Sequence, residues 1–126
     1  MPPSPAVVKK PARPVKLISL EADVLRAVLA FLTAKGLFTW RNNNVAVFDP
    51  YKNSYRAFIG MRGVSDILGV LPDGRFLAIE CKSASGKTTR EQDVFLNAVN
   101  SRGGIAFVAR GMEDVKEHLA DYLGTA

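Results

Sequence analysis

The sequence predicts an α/β domain: a mixed central sheet, antiparallel in its first strands and parallel at its last, flanked by helices in the order α-β-β-β-α-β-α. Three observations predict it. Apolar residues recur at helical spacing in two stretches, residues 20–32 and 94–99, on either side of several short apolar runs. Two of those runs are joined by Pro72-Asp73-Gly74, a turn sequence that closes an antiparallel hairpin. The continuous apolar run Ile105-Ala106-Phe107-Val108-Ala109 follows a helix and reads as an interior strand reached by a parallel crossover.

Each element has a local cause. Ser19 is read as the N-cap of the first helix, whose stripe is Leu20, Val24, Ala27, Val28, Phe31 and Leu32, with Gly36 ending it. Leu37 to Arg41 is a short strand broken by Asn42-Asn43-Asn44. Val45 to Asp49 and Tyr55 to Ile59 form a candidate hairpin around Pro50 to Ser54. Ser65 to Leu71 and Arg75 to Lys82 are the central strands. After a loop of small residues, Thr88-Thr89-Arg90-Glu91 reads as a capping box opening a helix to about Asn100, with Val94, Phe95, Ala98 and Val99 inward. Gly103-Gly104 releases the chain into the last strand. A final helix spans about Met112 to Leu123, with Val115, Leu119 and Leu123 inward.

The hairpin decides which charged residues meet. Proline pre-sets φ at the first turn position and glycine takes the left-handed third, so Leu71 pairs with Arg75. Counting outward, Asp66 falls opposite Glu80, and Lys82 shares the face of Glu80. A two-residue turn would slip the register and turn Glu80 to the other face. Two adjacent carboxylates repel unless they share a proton or hold a cation. Hard oxygen donors suit Mg²⁺ or Mn²⁺, which polarise phosphoryl oxygens. Ion-paired charges at a sheet edge are the plain structural alternative.

Gly63-Val64-Ser65-Asp66, Ile79-Glu80-Cys81-Lys82 and Gly86-Lys87-Thr88-Thr89-Arg90-Glu91-Gln92, with Gly103-Gly104 before the last strand, resemble the PD-(D/E)xK nuclease superfamily. Within it they look like the VRR-NUC family, especially its small standalone members of phage type. The resemblance covers about Leu20 to Leu123. Ser65 stands where the superfamily pattern has proline. The resemblance implies a restriction-endonuclease-like core and a Mg²⁺- or Mn²⁺-dependent DNA endonuclease. In it Asp66, Glu80 and the Cys81 carbonyl bind metal, Lys82 positions or activates water, and Gln92 assists. Glu21 matches the upstream acid that many superfamily members send from the first helix; its plain alternative is to complement the helix dipole.

Arg41-Asn42-Asn43 also fits small members of the family, making Arg41 and Asn43 candidate DNA contacts, against a reading as turn residues. Arg62 belongs to the same basic stretch, and Lys87 and Thr88 open a helix where phosphate binds. Standalone members are associated with Holliday-junction resolution. Two symmetric cuts ask for two sites, hence a C2 homodimer on branched, four-way DNA. The alternatives are a nicking, flap or restriction-type nuclease without junction preference, or a non-catalytic DNA-binding module.

Composition sets the frame. At 126 residues, 48% hydrophobic and 23% charged, the chain reads as one folded domain over residues 17–126. That leaves no room for a separate sequence-reading domain, which favours recognition of DNA shape. The net charge is +5, and four of the 17 basic residues lie in residues 1–16, leaving 13 against 12 acids. Residues 1–16 are thus read as a disordered, proline-rich basic arm able to follow a phosphate backbone. One cysteine, Cys81, makes no internal disulfide and suits a reducing cytoplasm, of a bacterial host or phage-infected cell. No apolar run is long enough for a membrane span. His118 lies on an acidic helix and is not read as a general base.

Overall fold

The hairpin at Pro72-Asp73-Gly74 sets the register of the whole sheet. In the computed structural model, which describes residues 20–43, 48–55 and 60–124, Leu71 N–H donates to the Arg75 carbonyl at 2.9 Å and Gly74 N–H to that of Leu71 at 2.8 Å. Gly74 takes the left-handed conformation, φ +91°. Strands β4 (Ile67–Val70) and β5 (Phe76–Cys81) pair antiparallel with Ile67 against Ile79 and Val70 against Phe76, as the three-residue turn requires. β1 (Phe38–Arg41) pairs antiparallel with β4, and β6 (Ile105–Ala109) runs parallel to β5. The order is β1-β4-β5-β6. A separate two-stranded ladder joins β2 (Phe48–Asp49) to β3 (Ser54–Tyr55). The rest of that expected hairpin, residues 44–47 and 56–59, lies outside the described residues, as do the N-terminal arm and Ser19.

Helices cover both faces. α1 (Glu21–Ala34) buries Val24, Leu25, Val28 and Leu32 against Ile67, Leu77, Ile79 and Cys81, and α3 (Met112–His118) adds Val115 to the same core. α2 (Arg90–Ser101) covers the other face, where Leu96 meets Ala78 and Ala106. Alternation along β5 therefore sends Leu77, Ile79 and Cys81 to the α1 side, and Ala78 and Glu80 to the α2 side. Burying each large aliphatic side chain contributes about 1.5–3 kcal/mol.

Several expectations need correction. α1 begins at Glu21 with Leu20 as N-cap and no side-chain cap, and Leu25 replaces Ala27 in its buried stripe, because the larger side chain faces the sheet. It ends as expected: Gly36, φ +76°, donates to Thr33, and Leu37 to Leu32, a Schellman pair. The capping box of α2 is Thr89 with Gln92, one residue beyond the expected Thr88 with Glu91. On α2 Leu96 is the buried residue, and Val94, expected inward, is exposed. β6 is the edge strand of the described sheet and not an interior one. Its apolar character comes from α2 on one face and α3 on the other. The Asn100 amide blunts its open edge, donating to the Ala106 carbonyl and accepting from Ala106 N–H, both at 2.8 Å. The last helix stops at His118, and the chain tightens into a 3-10 turn, Ala120–Tyr122, which brings the Tyr122 hydroxyl to Asp73 at 2.5 Å. No helix among the described residues is long and apolar enough to cross a membrane.

Candidate metal centre

The open end of the β4–β5 hairpin gathers the acids. Asp66 immediately precedes β4, and its Oδ2 accepts from Cys81 N–H at 2.8 Å. Glu80, on β5, is 1% exposed. Glu21 opens α1, which packs on the opposite face, yet its carboxylate reaches round the hairpin end. One oxygen from each of Glu21, Asp66 and Glu80 lies within 4.8 Å of the other two. Helix and hairpin thus bring together three acids separated by 45 and 14 positions in the chain.

Two further side chains hold Glu80. Lys82, one residue past β5 and on the face of Glu80, is buried, with its Nζ 3.7 Å from Glu80 Oε1. Gln92 Nε2 donates to the same oxygen at 3.0 Å. The other oxygen, Glu80 Oε2, is buried with no hydrogen-bond partner. Burial first, then the adjacent Asp66 carboxylate, push the Glu80 carboxyl up to about 8, with Lys82 pulling the other way. Burial, then Asp66 and Glu80, push the Cys81 thiol up to about 12, so it stays a neutral core group. An unpartnered buried carboxylate oxygen, beside two further carboxylates, is a donor set suited to a hard divalent cation such as Mg²⁺ or Mn²⁺.

The other sequence candidates divide. Arg41 lines one cleft of about 290 Å³ with Glu21 and Asp66. Asn43 is exposed just beyond the end of β1. Arg62 lines a different cleft, along α2. Lys87 is exposed in the loop before α2, and the Thr88 hydroxyl donates to Asp93 at 2.6 Å. His118 stacks on Phe107 with ring centroids 4.2 Å apart, its Nδ1–H donating to the Asp114 carbonyl at 2.8 Å. It serves α3 and the core. Trp40 shares the exposed face of β1 with Phe38, ring centroids 5.3 Å apart.

Sequence reasoning missed two residues that shape the site. Arg110, just after β6, donates from Nη1 to the carbonyls of Ser83, at 2.7 Å, and Gly86, at 2.5 Å. It pins the loop that links Lys82 to α2, and a lone arginine after a strand carries no local signal of that. Gly63, φ +82°, lies against the first turn of α2, and a Cβ there would run into the Glu91 carbonyl and come within 2.7 Å of Gln92 N.

Comparison of the chain with protein-family models, with curated proteins and with solved structures finds no match.

Proposed function

We propose that this chain is a metal-dependent DNA endonuclease. The observation that carries the proposal is the convergence of Glu21, Asp66 and Glu80, oxygens within 4.8 Å of one another, with Lys82 and Gln92 on Glu80. The mixed four-stranded sheet between helices is compatible with the restriction-endonuclease-like core that the sequence resemblance implies. The three carboxylates would hold Mg²⁺ or Mn²⁺. The Cys81 N–H is turned toward Asp66, and in an extended strand a residue's N–H and C=O face the same edge, which makes its carbonyl a fourth candidate ligand.

When bound, a divalent cation neutralises the paired acids and polarises a phosphoryl oxygen. The residues do the rest. Gln92 fixes the orientation of Glu80 from the rigid first turn of α2. The Lys82 ammonium orients the attacking water and offsets negative charge on the phosphorus as it becomes five-coordinate. Arg41 binds a flanking phosphate oxygen from the cleft it shares with Glu21 and Asp66. The water oxygen attacks in line and gives up a proton to solvent, the P–O3′ bond breaks, and the departing 3′ oxygen takes up a proton from solvent to become the hydroxyl. The products are 5′-phosphate and 3′-hydroxyl ends, as in the superfamily the motifs resemble.

The VRR-NUC resemblance extends the proposal to branched DNA, a four-way junction cut by a C2 homodimer. The test is a panel of labelled four-way junction, flap, splayed-arm and linear duplex substrates, each incubated with Mg²⁺, Mn²⁺ or chelator. Metal-dependent, paired symmetric nicks on the junction are expected. Equal cutting of junction and linear duplex would leave a general nuclease, and no metal-dependent cutting of any substrate would reject the proposal.

A further inference from the structure

Among the described residues, the two larger clefts do not surround the acids. They lie along the solvent side of α2. One, of about 430 Å³, has an apolar floor of Met61, Val94, Phe95 and Ala98, with Arg62, Arg90 and one acid, Glu91, at its rim. A second, of about 740 Å³, shares Met61, Phe95 and Ala98 with it and continues toward Arg75 and Arg102. Met61 is 67% exposed and Val94 59%, on a helix whose other outward residues are polar. Arg62 and Arg90 make no ion pair or side-chain hydrogen bond among the described residues, whereas Arg75 is paired with Asp73.

We infer that this cleft binds an unpaired stretch of the DNA substrate, taking a base on the apolar floor and its phosphates on Arg62 and Arg90. The inference rests on the nuclease reading and gives it a substrate class, DNA with unstacked bases near the cut. Charge selects the occupant. With two arginines against one glutamate the rim is net positive, so it disfavours a second copy of itself placed across a two-fold axis and the chain's own N-terminal segment, which has four basic residues and no acid in residues 1–16. It attracts a polyanion. A fully paired duplex presents phosphates and groove edges but no base faces, and so leaves the apolar floor unused. A single strand offers both phosphate and base faces. Position selects it again, because Arg90 is the first residue of the helical turn whose Gln92 holds Glu80. Gly63 packs the Met61–Arg62 segment against that same turn. The cleft and the metal centre therefore share the first turn of α2, which presents Arg90 to the one and Gln92 to the other.

The test separates base from phosphate in chelator, where no cutting occurs. Fluorescently labelled twelve-nucleotide oligothymidylate and the same backbone with abasic sites are titrated with full-length protein. Wild type is expected to bind the base-bearing strand at least ten-fold tighter. Val94→Asp, an exposed substitution that keeps α2, is expected to remove that preference. Arg62→Ala with Arg90→Ala is expected to weaken both strands and to reduce the slope of log K against log salt by about 1.4, at about 0.7 for each single-strand phosphate that the protein no longer neutralises. Equal affinity for the two strands, or an unchanged salt slope in the double variant, would overturn the inference. So would a Val94→Asp protein that changes from dimer to monomer with its oligonucleotide affinity intact, which would give the cleft to a second copy. These outcomes are independent of whether the wild-type protein cuts DNA in the presence of metal, so the nuclease reading stands or fails separately.

Discussion

The Gln92 amide ties the start of α2 to the Glu80 carboxylate. Its Nε2 donates to Glu80 Oε1 at 3.0 Å, and its Oε1 accepts from Thr89 N–H at 2.9 Å. One side chain thus serves both as the N3 member of a capping box and as the clamp on a buried acid. The amide suits this pair of duties because it offers a donor and an acceptor at once, where glutamate offers only acceptors at neutral pH.

Replacing Gln92 should therefore affect stability and site together. Gln92→Ala is predicted to lower unfolding free energy by about 1–2 kcal/mol, from half a capping box and one part-buried hydrogen bond. Urea unfolding in chelator measures this. Gln92→Glu should recover the cap but leave Glu80 without its donor. A Gln92→Ala midpoint equal to wild type would mean that the clamp contributes nothing.

Glu80 predicts a pH dependence for the metal-free protein. Its carboxyl is raised to about 8 from 4.5, so the folded chain holds the proton more tightly than the unfolded chain. Stability from this group is complete below about 4.5 and is lost as pH rises toward 8. The melting temperature in chelator should fall across that window. Glu80→Gln, neutral throughout, should flatten the dependence and melt higher at pH 8. Saturating Mn²⁺ should raise the wild-type value but not that of Glu80→Gln. Identical pH profiles for the two proteins would contradict this assignment.

Lys82 is predicted to act on the reaction more than on binding. It is buried beside Glu80, so Lys82→Met keeps the stem packing and removes the charge. Single-turnover cleavage should slow on the order of 100-fold or more, the usual effect of losing one electrostatic group in a site. DNA affinity in Ca²⁺ should change little. Undiminished cleavage by Lys82→Met would remove the lysine from the mechanism.

Gly63 is predicted to tolerate no side chain. Its φ of +82° disfavours any L-residue, and a Cβ would strike the backbone of the first turn of α2. Gly63→Ala should be destabilising by more than about 1 kcal/mol, seen as a lower melting temperature. It should also weaken metal binding, because the displaced turn carries Gln92. Gly74→Ala offers a contrast: it shares the positive φ, +91°, but its Cβ meets open space, so its effect should be confined to the turn.

The hairpin was legible because turn chemistry is local. Pro72, Asp73 and Gly74 fix the loop, the loop fixes the register, and the register sets Ile79 opposite Ile67, one step from the Asp66–Glu80 approach. The parallel last strand was legible from its position after a helix, and its place at the edge was not, because two covering helices make an edge strand as apolar as an interior one. The start of α2 was ambiguous by one residue, since Thr88 and Thr89 each precede a side chain able to close a capping box. The Gln92 bond to Glu80 accompanies the later start. Glu21 was placed by resemblance alone, because a first-turn acid on a helix has a local explanation that competes with any distant one. The roles of Arg110 and Gly63 depend on neighbours 24 or more residues away, which no local pattern encodes.

If Glu21, Asp66 and Glu80 form one metal centre that cleaves DNA, nicking of supercoiled plasmid as a function of Mn²⁺ concentration shows it most directly. Wild type is predicted to nick with Mn²⁺ and not in chelator. Asp66→Asn and Glu80→Gln are each predicted to lose on the order of 100-fold or more in rate, and Glu21→Gln to require more metal for the same rate. A wild-type protein that leaves plasmid intact at every Mn²⁺ concentration, or an Asp66→Asn protein that nicks as fast as wild type, would contradict it.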